Sequence, residues 1–161
     1  MTRLYARAPK GERAYGSVPR NRGKNTTLLA SMTLCGMGTA MAVEGSTTAK
    51  VFEAYVERFL VPELKPGQVV ILDNLGAHKG ERIKELIEAK SASLVFLPAY
   101  SPDFSPIEEA FSKIKSLLKR AAARTREALV EAIGRALEAV TSEDARGWFA
   151  HCGYVAGDQP S

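Results

Sequence analysis

Two carboxylates stand where side chains tend to do chemistry. Asp73 follows the apolar run Val69 to Leu72, and Glu108 lies three residues past Ser105, at the start of a long amphipathic stretch. The run Val69 to Leu72 reads as a short buried strand, so Asp73 falls at a strand's carboxyl end, where open α/β sheets place their reactive groups. Glu108 falls in the first turn of a helix, where the backbone dipole favours the ionised form. Ionised carboxylates are the hard oxygen donors that Mg²⁺ prefers. Thirty-four residues lie between the two acids. Each also has a plainer reading. Ser105-x-x-Glu108 has the form of a capping box, in which the glutamate only satisfies the Ser105 N–H. Asp73 alone reads as a turn acid leading into the next helix.

The elements that must position these acids are legible from periodicity. Leu94 to Leu97 is a second short apolar run, ended by Pro98. Pro98, Pro102 and Pro106 bar helix until Pro106, which suits a first helical position with Ser105 as N-cap. Ile107, Ala110, Phe111, Ile114, Leu117, Leu118 and Ala121 then recur at helical spacing. Upstream, Thr26 to Leu34 and Thr39 to Val43 read as a hairpin turning at Gly36-Met37-Gly38. Both arms are mostly apolar, which predicts a sheet covered on both faces. Thr47 or Thr48 caps a helix striped by Val51, Phe52, Tyr55, Val56, Phe59 and Leu60, closed by Pro62 and Pro66-Gly67. A helix over Glu81 to Ala89 follows the Val69 strand. Thr125 and Thr141 begin two C-terminal helices, the last carrying Trp148 and Phe149 and ending at Gly153. This order of strands and helices predicts an α/β sheet flanked by helices.

Around the acids the chain reads L-D-N-x-x-x-H from Leu72 to His78 and L-P-x-Y-S-P-D-x-x-P-I-E from Leu97 to Glu108. The paired motifs resemble the catalytic core of DDE transposases, in particular the bacterial insertion sequence 630 branch related to mariner. The resemblance covers nearly the whole chain, from the basic N-terminal stretch to Gly153-Tyr154. It implies a ribonuclease H-like mixed sheet, its first three strands antiparallel, with C-terminal helices, in one catalytic domain over residues 1–161. It implies that Asp73 is the second catalytic acid and Glu108 the third. Both would be ligands of Mg²⁺ (or Mn²⁺) in phosphodiester cleavage and strand transfer. Asn74 would orient Asp73 or a water, His78 would contact a phosphate or cap the next helix, and Tyr100 would brace the loop that carries Glu108. The family's first acid precedes the segment matching Arg3 to Pro19. The expectation is therefore an N-terminally truncated fold, the C-terminal part of a longer transposase, with little cleavage by the isolated chain. The alternative is a non-catalytic remnant that binds DNA or dimerises, and so modulates an intact transposase.

Charge distribution bears on partners more than the net charge of +4 does. Residues 1–24 carry Arg3, Arg7, Lys10, Arg13, Arg20, Arg22 and Lys24 against one acid, Glu12. Lys113 to Arg126 holds six basic residues and no acid. Each stretch is either a solvated surface or a set of phosphate contacts. With the resemblance, Arg20, Arg22, Lys24, Lys113, Lys115, Lys119 and Arg120 become the candidate DNA contacts. The partners implied are transposon-end and target DNA, with a second copy or a full-length transposase. The longest apolar runs are too short to span a bilayer. No apolar h-region follows the basic N-terminus, and Cys35 and Cys152 lack metal spacing. These features fit two buried thiols in a reduced cytosolic protein; the resemblance implies a bacterial cytoplasm, with association to the nucleoid when on DNA.

Overall fold

Thr26–Thr33 forms β1, and Gly36–Glu44 returns antiparallel to it as β2 in the computed structural model, which describes residues 9–10, 25–73, 80–99 and 101–154. The turn falls at Leu34-Cys35, before the glycines rather than on them. Gly36 takes φ 121°, a conformation that L side chains rarely adopt. The turn leaves Cys35 exposed, so the expectation of two buried thiols holds only for Cys152. Gly38 serves a separate purpose. The register slips between Ala30 and Met32, so that Gly38 and Thr39 together oppose Ser31. A Cβ on Gly38 would lie 2.5 Å from the Ser31 hydroxyl oxygen, so any larger residue there would have to displace that hydroxyl. The Thr39 carbonyl at this slip accepts a 2.9 Å hydrogen bond from the Tyr55 hydroxyl. Burial pushes that hydroxyl's pKa up, so it remains a donor.

The first helix starts as expected. The Thr48 hydroxyl accepts from the Val51 N–H at 3.3 Å, and α1 runs over Ala49–Tyr55. Pro62 does not close it. The chain widens into a π turn over Val56–Leu60, closed by the Val61 N–H on the Val56 carbonyl, and continues as α2 over Val61–Glu63. Pro62 is the second residue of that last turn, and the helical run ends one residue later at Glu63.

Val69–Leu72 forms β3, Glu81–Glu88 forms α3 and Ser93–Phe96 forms β4. The two strands pair in parallel, from Val69 with Ser93 to Leu72 with Phe96. One mixed sheet was the expectation; among the described residues the strands form two two-stranded ladders, β1–β2 and β3–β4. Both ladders rest on the same helical layer. Leu29 and Met41 of the hairpin, and Val70, Leu72 and Leu94 of the parallel pair, pack on Phe52, Tyr55, Val56, Leu60, Ile83 and Ile87.

The other face of the hairpin meets the C-terminal helices. Pro106–Ala121 forms α4, Arg126–Glu138 forms α5 and Ser142–His151 forms α6. Ile114 and Leu118 of α4 join Ala132, Ile133 and Ala136 of α5 in a second core that takes in Leu28 and Met37. Leu28 and Leu29 thus point to opposite cores, as adjacent strand residues must. Thr125 caps α5, and Thr141 with Asp144 makes a full capping box on α6. Of the basic stretch 1–24, only Pro9 and Lys10 fall within the described residues.

Ile114 is 1% exposed and Val130 is 50% exposed. Ile114→Ala is expected to cost about 2–5 kcal/mol of stability in urea denaturation. Val130→Ala on the same helical layer should stay within about 0.5 kcal/mol.

Candidate active site

The parallel pair sets the position of Asp73 and the start of the loop that leads to Glu108. Its ladder closes with the Leu97 N–H on the Leu72 carbonyl, at 2.8 Å. Asp73 is the next residue after that carbonyl, and it is exposed. From Leu97 the other strand runs through Pro98 into a 3₁₀ turn over Pro102–Phe104, and α4 begins at Pro106. Asp73 and the approach to Glu108 therefore leave the carboxyl ends of two neighbouring parallel strands.

Glu108 is not occupied as a cap. Ser105 precedes α4 with φ −113° and ψ 89°, and its side chain makes no capping hydrogen bond. The Glu108 N–H bonds the Ser105 carbonyl at 3.0 Å, which is ordinary backbone pairing. The capping box read from Ser105-x-x-Glu108 is thus absent, and the exposed Glu108 carboxylate makes no hydrogen bond or ion pair with a described residue. The box that does form is Thr141 with Asp144, two helices on.

The loop ahead of Glu108 is held from the far end of the chain. The Tyr154 hydroxyl donates to the Phe104 carbonyl at 2.7 Å. Phe149 meets the Tyr154 ring edge-on at 5.8 Å, and the Tyr154 N–H returns to the Phe149 carbonyl at 2.9 Å. Gly153 makes this return possible with φ 84°. Sequence reasoning placed Gly153-Tyr154 by resemblance but gave Tyr154 no task; a tyrosine just past a helix end gives no periodic signal.

A small pocket of about 170 Å³ opens at the start of α4, lined by Asp103, Ser105, Glu108, Glu109, His151 and Cys152. Burial, followed by the charges of Glu109 and Asp103, pushes the Cys152 thiol's pKa up. A thiol so placed is a poor nucleophile. One carboxylate just past a strand end and one in a helix first turn suit a hard divalent cation better than a soft one. Among the described residues, no group of three or more His, Cys, Asp or Glu is arranged around a metal position.

The basic residues of α4 divide in two. Lys113 is committed: its ammonium meets Asp144 of α6 at 2.5 Å. Lys115, Lys119 and Arg120 are exposed and pair with no described acid. Arg126 binds Glu44 at the end of β2. Asn74, His78, Tyr100, Arg20, Arg22 and Lys24 lie outside the described residues.

With this geometry in place, sequence comparison decides the family. The sequence model of the DDE superfamily endonucleases matches residues 1–130. The chain belongs to that family. Asp73 and Glu108 fall inside the matched span, and α6 falls outside it. No curated protein matches the chain. Among solved structures it resembles the Mos1 strand transfer complex, with TM-score 0.73 and 18% identity over 93% of this chain and 46% of that one. The Mos1 mariner paired end complex with Mn gives TM-score 0.68 and 17% identity over 92% and 46%. The catalytic domain of Mos1 mariner transposase gives TM-score 0.65 and 16% identity over 80% and 69%. The chain thus spans about half the length of the Mos1 chains in those complexes. At these identities the likeness establishes the fold, the ribonuclease H-like α/β fold of DDE endonucleases.

The Lys113 ammonium, with the Thr141 N–H, holds the Asp144 carboxyl down to about 2 from an ordinary 3.8. A carboxyl depressed in the folded state stabilises the fold above its unfolded pKa, and that stabilisation fades as pH falls through the folded pKa. Asp144→Asn is therefore expected to lower stability at neutral pH, and its deficit should close as pH falls from about 4 toward 2. Chemical denaturation of both proteins across that range checks this.

Proposed function

We propose that the chain is the catalytic domain of a DNA transposase, with Asp73 and Glu108 as its acids. The observation that carries this reading is their departure from the carboxyl ends of paired parallel strands, with the Glu108 carboxylate outside any capping bond. Membership of the DDE endonucleases supplies the reaction class. The substrate is a phosphodiester at the element's end, followed by target DNA in strand transfer.

Asp73 and Glu108 would hold divalent cations, Mg²⁺ or Mn²⁺. When bound, such ions supply positive charge at the phosphoryl group and an activated nucleophile. Lys115, Lys119 and Arg120, with Arg20, Arg22 and Lys24 upstream, would neutralise backbone phosphates. Lys113 would act through its bond to Asp144, fixing α4 on α6. Asn74, His78 and Tyr100 would support Asp73 and the Glu108 loop. The partners on this reading are transposon-end and target DNA, and a second copy or a full-length transposase. The setting is the bacterial cytoplasm, at the nucleoid.

The test is cleavage of transposon-end DNA by the native full-length product in Mg²⁺ or Mn²⁺. Asp73→Asn and Glu108→Gln should each lower the cleavage rate about a thousandfold or more, since losing a metal ligand removes several kcal/mol of transition-state stabilisation. Affinity for DNA should persist. Variants that cleave like the parent would refute the assignment. A parent that binds DNA and never cuts it would mark a binding module.

A further inference from the structure

A second concavity lies along α4, on the side facing α6. It has a volume of about 420 Å³, and its walls include Glu109, Ser112, Ser116, Arg120 and Trp148. The α4 residues recur at helical spacing, so the groove follows one face of the helix from its acidic first turn to its basic last turn. Three features limit what it can hold. Lys113, also in its wall, is neutralised by Asp144, which leaves Arg120 as its unpaired cation. A guanidinium flanked by serine hydroxyls suits a phosphate. Trp148 is half-buried, packed against the second core on one side while lining the groove, and so forms a rigid aromatic platform. Finally, Glu109 lines both this groove and the smaller pocket that contains Glu108. The two spaces therefore adjoin at Glu109.

We propose that this groove takes one unpaired nucleotide of a DNA strand running along α4 from the Glu108 pocket. The base stacks on Trp148, and its phosphate sits on Arg120 with the Ser112 and Ser116 hydroxyls. A paired base shows a protein only its edges, whereas an unpaired one offers the face that an indole can stack on. The volume lies within the range of small-ligand sites. Trp148 of α6 lies beyond the residues matched by the family model, whereas the α4 residues of the groove lie within them. The inference rests on the reading of the chain as a DNA-binding enzyme.

Trp148 is the single tryptophan of the chain, so its emission reports on the groove directly. The experiment titrates the 161-residue chain with a short oligothymidylate, following tryptophan fluorescence and the anisotropy of a label on the DNA. Saturable quenching that tracks anisotropy is expected, while an abasic strand of equal length should bind without it. Arg120→Ala, at an exposed position, should weaken binding about tenfold at low salt and flatten its salt dependence. Trp148→Phe, which keeps an aromatic ring in the core, should retain binding and lose the signal. Binding by anisotropy with unchanged emission and no effect of Arg120→Ala would overturn the groove and leave the DNA reading intact. Failure to bind single-stranded or duplex DNA at all would overturn both.

Discussion

Leu72 and Phe96 face each other at the last paired position of a parallel ladder, and the Leu97 N–H bonds the Leu72 carbonyl just beyond. The site depends on this pairing, because Asp73 follows one strand and the Glu108 loop follows the other. Hydrogen bonds alone would not fix the register: each contributes about 0.5–1.5 kcal/mol net, and a slipped ladder forms nearly as many. Burial decides it. Val70, Leu72 and Leu94 pack on the first core, while Val69 and Val95 are 57% and 47% exposed. A slip of one residue would turn these partly buried side chains outward, each losing a share of the about 1.5–3 kcal/mol that full burial is worth. The core thus sets the phase of the two acids.

The second constraint is the attachment of α4. Ile114 and Leu118 anchor its apolar stripe in the second core, and Lys113 ties its polar flank to Asp144 of α6. Tyr154 holds the loop that precedes it. Asp144 is shared by two devices, since it also completes the capping box of α6 with Thr141. The C-terminal helices are therefore more than a cover for the hairpin. They determine where the first turn of α4, and with it Glu108, stands relative to the sheet edge.

Much of this was legible in the sequence, for identifiable reasons. The β3 and β4 runs, the start of α4 at Pro106 and the caps at Thr48, Thr125 and Thr141 were all readable, because apolar runs, prolines and cap residues act locally. The hairpin turn was misplaced onto its glycines. Gly36 and Gly38 answer to a left-handed φ and to the nearby Ser31 side chain, a tertiary demand rather than a turn signal. Pro62 was read as a stop, but a π turn absorbed it. Ser105-x-x-Glu108 offers a capping box by pattern as the plainer reading of Glu108, but the Ser105 side chain, on backbone with ψ 89°, makes no capping bond to α4. The acids themselves stood out through paired motifs and their spacing. Lys113–Asp144 and Tyr154–Phe104 join residues 31 and 50 apart, and no local pattern announces such contacts.

The central claim is that Asp73 and Glu108 serve one cation site at the carboxyl edge of the β3–β4 pair. Paramagnetic broadening by Mn²⁺ tests it most directly, with the side-chain carboxyl carbons of the chain observed by NMR at substoichiometric metal. The account predicts that the Asp73 and Glu108 signals broaden together at the lowest additions, and that Glu108→Gln reduces the effect at Asp73. Broadening of one acid without the other, or of Asp103 and Glu109 ahead of both, would contradict it.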